Sequence, residues 1–199
     1  MYWRSEPARR PLQRDRLLLL FLAILIEGGL GVGAVVWAQR RAIPLWSHIY
    51  GDWRALLWII VATALMAGIN LTAYVLALRR QYAVVLHFDR LVVPIFSASG
   101  WPDLLLISLL AGVAEETMFR GVIQQELGIV WAGVLFGLMH FVEPRLWPYT
   151  CWAMVIGMVF GCLYLWTGNL LVPIGVHAAY DFIALHYLQR RGRNCPAAP

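Results

Sequence analysis

The chain has 199 residues, of which 61% are hydrophobic and only 14% charged, and its mean hydropathy is +0.67. Soluble domains carry about 45–50% apolar and about 25% charged residues, so the composition excludes an ordinary water-soluble fold. The basic residues give a formal net charge of +5, but they are arginines clustered at the ends of apolar segments, which is typical of topology signals and lipid headgroup contacts; no nucleic-acid partner is expected.

Apolar runs along the chain predict six membrane-spanning helices, because several of the runs approach the length of about 20 residues that crosses a bilayer. None shows the alternating pattern of a barrel strand. The fourth run, of 15 residues, is expected to be a short or partly inserted helix, since at about 1.5 Å per residue it falls short of the roughly 30 Å hydrocarbon core. The fold class is therefore all-α, a polytopic transmembrane helical bundle, with predicted spans at 17–38, 53–78, 102–125, 128–142, 149–167 and 170–188.

The arginines predict the orientation of this bundle. With the N-terminus in the cytoplasm and the spans alternating, twelve arginines lie inside, three lie outside and Arg120 lies within a span. This imbalance follows the positive-inside rule and predicts that both termini are cytoplasmic. The first apolar run, at roughly 22 residues, is longer than the core of a signal peptide and is expected to stay in the mature protein. Segment 81–100 has mixed character and is interpreted as interfacial.

The third span contains the unexpected charges, in the sequence AGVAEETMFRGVI. Each charge there costs several kcal/mol unless it is paired or hydrated. Glu116 and Arg120 are four residues apart and share one helical face, so they are expected to form an ion pair, whereas Glu115 points about 100° away. Glu116 and Arg120 would then brace a site, leaving Glu115 free to meet a substrate or a water molecule.

Two later spans each add a histidine with an i,i+4 partner. The fourth contains FGLMH, ending at His140, and the sixth contains HAAYD, from His177 to Asp181. A single histidine on an apolar helix usually makes only an interhelical hydrogen bond. Ionisable side chains on these three spans, the third, fourth and sixth, can instead converge in one pocket, which is how helix bundles build active sites.

The ordered motifs EExxxR at 115–120, FxxxH at 136–140 and HxxxD at 177–181 resemble the CPBP or Abi family of intramembrane peptidases, which includes the CaaX-type prenyl-protein endopeptidases. The resemblance covers about residues 102–188 and also includes the approach TGNLLVPIGVH to the last motif. A myxosortase-like member is one form that it admits. The first two spans match the family by hydropathy only.

The resemblance implies a role for each matched residue. Glu115 would be the general base that activates a water, assisted by His140, while His177 and the residue at 181 would stabilise the oxyanion. A carboxylate in a poorly hydrated pocket is a better base near neutral pH, and imidazoles can donate hydrogen bonds to developing negative charge. The family accepts Asn or Asp at the last position; here Asp181 can donate only if protonated, so an orienting role is the alternative.

The sequence also allows several other interpretations of these residues. Two histidines and a carboxylate could bind zinc, but no HExxH motif appears, so no cofactor is expected and a zinc-dependent peptidase is the alternative. There is no GxSxG-like serine motif or GxGD aspartyl motif. A non-catalytic membrane immunity or scaffold protein, and a proton-linked transporter using the Glu/His groups, are the non-peptidase alternatives.

We therefore expect an intramembrane glutamic endopeptidase of a bacterial inner membrane. It would cleave near the C-terminal or membrane-proximal part of a lipidated or membrane-anchored protein, with the lipid bilayer as its other partner. The predicted parts are a cytoplasmic segment (1–16), a transmembrane pair with an interfacial segment (17–100), the catalytic membrane core (101–189) and a tail (190–199).

The remaining features have simpler interpretations. Glu27, in the glycine-rich first span, could line the cavity, but close helix packing with one buried hydrogen bond is favoured, as for Asn70. Pro102 and Asp103 are typical of a helix start. Five tryptophans near span ends indicate an interfacial belt, and the three cysteines indicate neither a zinc site nor a disulfide framework. The tryptophans are Trp3, Trp46, Trp53, Trp101 and Trp147, and the cysteines are Cys151, Cys162 and Cys195.

Overall fold

The computed structural model describes residues 13–194, and every regular element in that range is helical. The predicted all-α bundle is confirmed. Much of the predicted segment 1–16 and half of the predicted tail, with Trp3 and Cys195, lie outside the described residues. The helices are α1 (Gln13–Arg40), α2 (Trp53–Arg79), α3 (Ala83–Phe96), α4 (Trp101–Met118), α5 (Gln124–Met139), α6 (Trp147–Thr167) and α7 (Leu171–Asn194), with 3-10 turns at Leu45–His48 and Pro144–Leu146 and a π-helical turn at Phe119–Ile123.

Within residues 13–194, five helical segments are long and apolar enough to cross a membrane. Their outward faces carry large apolar side chains such as Val32 and Ile69, each 66% exposed. Exposing so much apolar surface to water would be unfavourable, whereas lipid tails accommodate it. The protein is an integral membrane protein. The five segments are Gln13–Arg40, Trp53–Arg79, Trp101–Met139, Pro144–Thr167 and Leu171–Arg193.

The predicted third and fourth spans both fall in the helical run Trp101–Met139, and Gly128 separates them. Gly128 has φ 82° and ψ 169°, a conformation that glycine adopts readily because it lacks a Cβ. The chain reverses there, since Phe119 before the glycine packs on Phe136 after it, with ring centroids 5.2 Å apart. α5 therefore returns beside the end of α4 as a separate short helix, which reconciles six predicted helices with five membrane-length segments.

α1 runs parallel to α4. At one end Arg16 donates to Asp103 across 2.6 Å, and further along Gly31 lies against Ala114. Asp103 also accepts from the backbone N–H of Gly100 at 2.6 Å. The acid therefore caps the start of α4, as the sequence predicted, and also holds α1 in register with it.

α7 runs antiparallel to α4. The amide of Gln189, near the end of α7, donates to the carbonyl of Ser99 just before α4, while Gly112 meets Ala178 further along. A Cβ at Gly112 would lie 2.9 Å from the backbone nitrogen of Ala178, so only glycine permits this close approach. As a result, the start of α1 and the end of α7 lie at the same end of the bundle, next to the start of α4.

α3 lies in the segment predicted to be interfacial and packs against α7. With 14 residues it is too short to span a bilayer. Asp89 pairs with Arg191 of α7 at 2.7 Å, and His87 bonds Glu143 in the connection after α5. α3 is thereby attached to α7 and to the end of α5, next to His140.

The tryptophans near span ends that lie in the described range are exposed, in keeping with the predicted interfacial belt. Their exposed fractions are 69% for Trp46, 69% for Trp53, 62% for Trp101 and 62% for Trp147. Asn70 makes the interhelical hydrogen bond expected of it, because its side-chain oxygen accepts from Trp152 Nε1 at 2.8 Å.

Candidate active site

The two adjacent glutamates lie at the end of α4, directly before the π-helical turn that contains Arg120. Such turns occur frequently at functional sites. Glu116 and Arg120 have no exposed surface, and Arg120 Nη1 donates to Glu116 Oε1 across 3.0 Å. The ion pair predicted from the i,i+4 spacing is therefore present.

The guanidinium of Arg120 is enclosed by α5 and α6. Its Nη2 donates to the backbone carbonyl of Gly157 on α6 at 2.6 Å. The guanidinium carbon lies 4.6 Å from the ring centre of Phe136 and 5.3 Å from that of Phe160. Hydrogen bonds and aromatic faces thus replace the water that a buried cation loses. No sequence pattern singled out Gly157 or Phe160.

His177 of α7 lies between two carboxylates. Its Nδ1 is 2.7 Å from Glu116 Oε1, and its Nε2 is 3.4 Å from Asp181 Oδ2. Because Glu116 is an acceptor, Nδ1 must carry a proton, which leaves Nε2 facing Asp181. Phe160 stacks on the imidazole with ring centroids 4.9 Å apart, so the ring orientation is fixed on three sides.

His140 stands at the end of α5 and is half-buried. Its Nδ1 lies 2.9 Å from the backbone carbonyl of Phe136, so Nδ1 donates and Nε2 keeps a lone pair when the ring is neutral. The ring stacks on Phe136 at 4.7 Å and interacts electrostatically with Asp181, His177 and Arg120. His140 therefore presents a hydrogen-bond acceptor to the same group of side chains.

Glu115 differs from its neighbour because no hydrogen bond engages its carboxylate within residues 13–194. Its Oε2 is buried without a partner, and its electrostatic interactions are with His177, Glu27, Asp181 and Glu116. The division expected from the helix geometry is present: Glu116 is held, and Glu115 is free. No hydrogen bond or ion pair joins Glu115 to His140 in the described part of the chain; both interact electrostatically with His177 and Asp181 instead.

The structure brings all six predicted residues into one linked group and adds one that the sequence interpretation assigned to packing. Glu27 of α1 interacts electrostatically with His177, Asp181 and Glu115. Its Oε2 is buried and unpartnered within the described range, so the expected buried hydrogen bond is not made there, whereas the expected close helix packing is present, with Gly31 against Ala114. The signal was available, because Glu27 is the one acidic residue in the predicted span 17–38.

The zinc-dependent alternative would need ligands from this same group of side chains. Among residues 13–194, no three His, Cys, Asp or Glu side chains are placed to hold one metal ion. Glu116 Oε1 already accepts from both Arg120 and His177. A cation at that oxygen would have to displace a guanidinium and an imidazole whose own charges would then lie buried and unpaired.

The part of the chain that contains the six predicted site residues is similar to a known protein family. Residues 97–183 match the family model described as type II CAAX prenyl endopeptidase Rce1-like. The resemblance to CaaX-type endopeptidases inferred from the motifs is confirmed, and the myxosortase-like alternative stays a prediction.

The matched segment contains all six predicted site residues, whereas Glu27 lies outside it. Two proteins of Bacillus subtilis (strain 168) share sequence with the chain, and both are described as uncharacterised. YpbD is 36% identical over 89 residues, 45% of this chain and 47% of that protein. YyaK is 27% identical over 124 residues, 54% of this chain and 42% of that protein. The chain thus spans about half the length of the curated relatives that it matches, and no solved structure matches it.

Proposed function

We propose that this protein is an intramembrane endopeptidase that uses a glutamate-activated water to cleave a lipidated or membrane-anchored protein near its C-terminal or membrane-proximal end. The observation that carries the proposal is the contrast between adjacent glutamates. Oε2 is buried without a partner on both residues, but Glu116 Oε1 accepts from Arg120 and His177, whereas no hydrogen bond engages the Glu115 carboxylate within residues 13–194. A structural ion network has no use for that second, unpaired acid, while hydrolysis needs a free base.

In the proposed mechanism a water molecule lies between Glu115 and His140, which face the same two groups without touching each other. Glu115 removes a proton from the water while the water oxygen attacks the scissile carbonyl carbon. The Nε2 lone pair of His140 accepts a hydrogen bond from the other O–H of the water. The proton then passes from Glu115 to the peptide nitrogen as the C–N bond breaks. The products are a carboxylic acid and an amine, and no metal is required.

The negative charge on the carbonyl oxygen is stabilised by His177. Its Nδ1 proton is committed to Glu116, so Nε2 is the nitrogen available to the oxyanion, and a protonated ring donates from it. Asp181 lies 3.4 Å from Nε2, near enough to orient and stabilise the imidazolium but too far for a short bond. We therefore propose the orienting role for Asp181, since an ionised carboxylate cannot donate.

The substrate class follows from where the group lies. Its residues come from helices whose outward faces contact lipid, so the scissile bond must reach it from the bilayer or its surface. Both ends of the described chain lie at one end of the bundle, and the arginine distribution supports a cytoplasmic location for that end. With relatives in Bacillus subtilis, a bacterial inner membrane is the location that we propose.

The test is cleavage of co-expressed C-terminally anchored or lipidated proteins, read as a mass shift. Wild type, Glu115→Gln and His140→Ala are compared with and without a metal chelator. We expect product from wild type in both conditions and none from Glu115→Gln. Product from well-folded Glu115→Gln contradicts the assigned base, loss of wild-type product with chelator favours the zinc-dependent alternative, and intact substrate with every variant favours a scaffold.

A further inference from the structure

A cavity of about 530 Å³ lies between the segment that joins α2 to α3 and the connection that leads from α5 into α6. Its volume falls in the range of about 300–1,000 Å³ that is usual for ligand sites. None of the six predicted site residues lines it, so it is separate from the candidate active site. The side chains that give the cavity its polar and aromatic character are Gln81, His87, Arg90, Arg145 and Trp147.

The cavity carries a positive charge that no acid in its walls offsets. Among residues 13–194, no aspartate or glutamate lines it. Arg90 and Arg145 are exposed, and neither guanidinium has a hydrogen bond or ion pair with another residue in that range. Glu143, the acid next to the second wall in the chain, is already bonded to His87. Two arginines that line one cavity without a counter-charge attract an anion.

Apolar side chains are exposed on both segments that form the cavity. Leu91 and Ile95 of α3 lie four residues apart, so they share a helical face, and both are exposed. Phe141 and Val142, just before the second wall, are exposed as well. Trp147 lines the cavity and is exposed, as is typical of a tryptophan at the level of lipid headgroups. Acyl chains can cover this apolar surface, whereas a free anion in water cannot.

The position of α3 places the cavity at the end of the bundle that contains the end of α7. Asp89 pairs with Arg191 at 2.7 Å, and a Cβ at Gly192 would lie 2.9 Å from the side chain of Val93. The arginine distribution supports a cytoplasmic location for this end. Anionic phospholipids give the cytoplasmic surface of a membrane a negative potential, which attracts basic segments.

We propose that this cavity binds the phosphate headgroup of an anionic phospholipid from the leaflet at that end of the bundle. Arg90 and Arg145 hold the phosphate, because a guanidinium presents paired N–H donors that match its oxygens. Gln81 offers a further side-chain donor, and Trp147 contacts the glycerol and acyl region. The bound lipid joins α3 to the connection that follows His140.

The first test measures binding of phosphatidylglycerol to the full chain in detergent micelles by native mass spectrometry. The cavity variant carries Arg90→Gln and Arg145→Gln, and its matched control carries Arg79→Gln and Arg80→Gln. Both control arginines are exposed, directly precede Gln81 and do not line the cavity. We expect binding at least about tenfold weaker in the cavity variant and within about threefold of wild type in the control. Equal weakening in both variants would indicate diffuse attraction to basic surface and overturn the proposal.

Competition decides the nature of the ligand. Inorganic phosphate, phosphatidylcholine and a short peptide with a free C-terminal carboxylate are each added to the complex with phosphatidylglycerol, and the amidated peptide is the control. We expect none of them to displace phosphatidylglycerol at equal concentration. Displacement by inorganic phosphate would indicate a site for free anions, and displacement by phosphatidylcholine a site without charge selectivity. Displacement by the peptide acid but not by its amide would indicate a site for a peptide end, and each of these results overturns the lipid assignment.

A third readout uses wild type alone, so it does not depend on the folding of any variant. Photoactivatable phosphatidylglycerol is crosslinked to the protein, and the labelled peptides are identified by mass spectrometry. We expect label within residues 81–95 and 141–147, and label confined to other parts of the chain overturns the proposal. None of the three measurements requires cleavage, so failure of the proposed peptidase activity would leave their outcome unchanged.

Discussion

His177 on α7 donates from Nδ1 to Oε1 of Glu116 on α4 across 2.7 Å, at a position where Glu116 has no exposed surface. The same oxygen accepts from Arg120 at 3.0 Å. One carboxylate oxygen therefore joins α4, the π-helical turn and α7. The stability of the bundle and the orientation of the imidazole depend on the same three side chains. Substitution of Glu116 is therefore expected to lower stability, whereas substitution of Glu115, which is not one of the three, is expected to lower activity alone.

Removing either partner of the buried ion pair should destabilise the protein. Arg120→Met leaves Glu116 buried with an uncompensated charge, and Glu116→Gln does the same to Arg120, so each should cost about 3–5 kcal/mol of unfolding free energy. The double variant should lose less than the sum of the two single losses, because the residues contact each other. Chemical unfolding in detergent micelles measures this, and additive losses would show that the pair is not coupled.

Glu115→Gln should separate activity from stability. The carboxylate has no hydrogen-bond partner in the described chain, so its replacement should leave the unfolding midpoint close to that of wild type. The cleavage rate should fall by roughly 10²–10⁴-fold, the usual effect of losing a general base. Glu126→Gln is the matched control, because its exposed ion pair with Arg41 lies away from the site; the assignment fails if both variants cleave equally.

The contact between α5 and α6 should control the position of His140. A Cβ at Gly137 would lie 2.6 Å from the backbone nitrogen of Met154 and 2.8 Å from the carbonyl oxygen of Thr150. Gly137→Ala should therefore push the helices apart, at a cost of about 1–3 kcal/mol, and lower activity by moving His140.

Gly68→Ala is the matched control for this substitution. Nothing lies within 4 Å of a Cβ at Gly68 in α2, so the added methyl group should be neutral or stabilise the helix by up to about 1 kcal/mol. Thermal unfolding and cleavage of both variants are measured side by side. Equal behaviour of the two glycine variants would mean that α5 can move without consequence.

Substitutions at Asp181 distinguish an orienting acid from a direct donor. Asp181→Asn keeps a side-chain oxygen near His177 Nε2 and adds an N–H donor, so activity should stay within about tenfold of wild type. Asp181→Leu removes both and should lower the rate by roughly 10²-fold, as loss of oxyanion stabilisation does. Steady-state cleavage measures this, and an inactive but folded Asp181→Asn would show that His177 requires the negative charge.

The features that sequence reasoning recovered are those that depend on local spacing or on the cost of charge in lipid. The i,i+4 relation predicted the pair of Glu116 and Arg120, and the free position of Glu115 followed from its angle on the same helix. The separation of α4 from α5 was visible as a short fourth run. The surroundings of Glu27 could not be predicted, because a glycine-rich helix with one acid predicts packing as readily as it predicts a site.

The sequence by itself determined that this is a helical membrane protein with a costly set of ionisable residues at 115–120, 140 and 177–181. Lipid penalises each unneeded charge by several kcal/mol, so such residues stand out in a hydrophobic chain. Only the tertiary structure decided which of them meet. Spacing along the chain does not specify helix directions or close approaches between helices. Three features depend on these: the reversal at Gly128, the parallel packing of α1 on α4, and the hydrogen bond from Arg120 to a backbone carbonyl of α6.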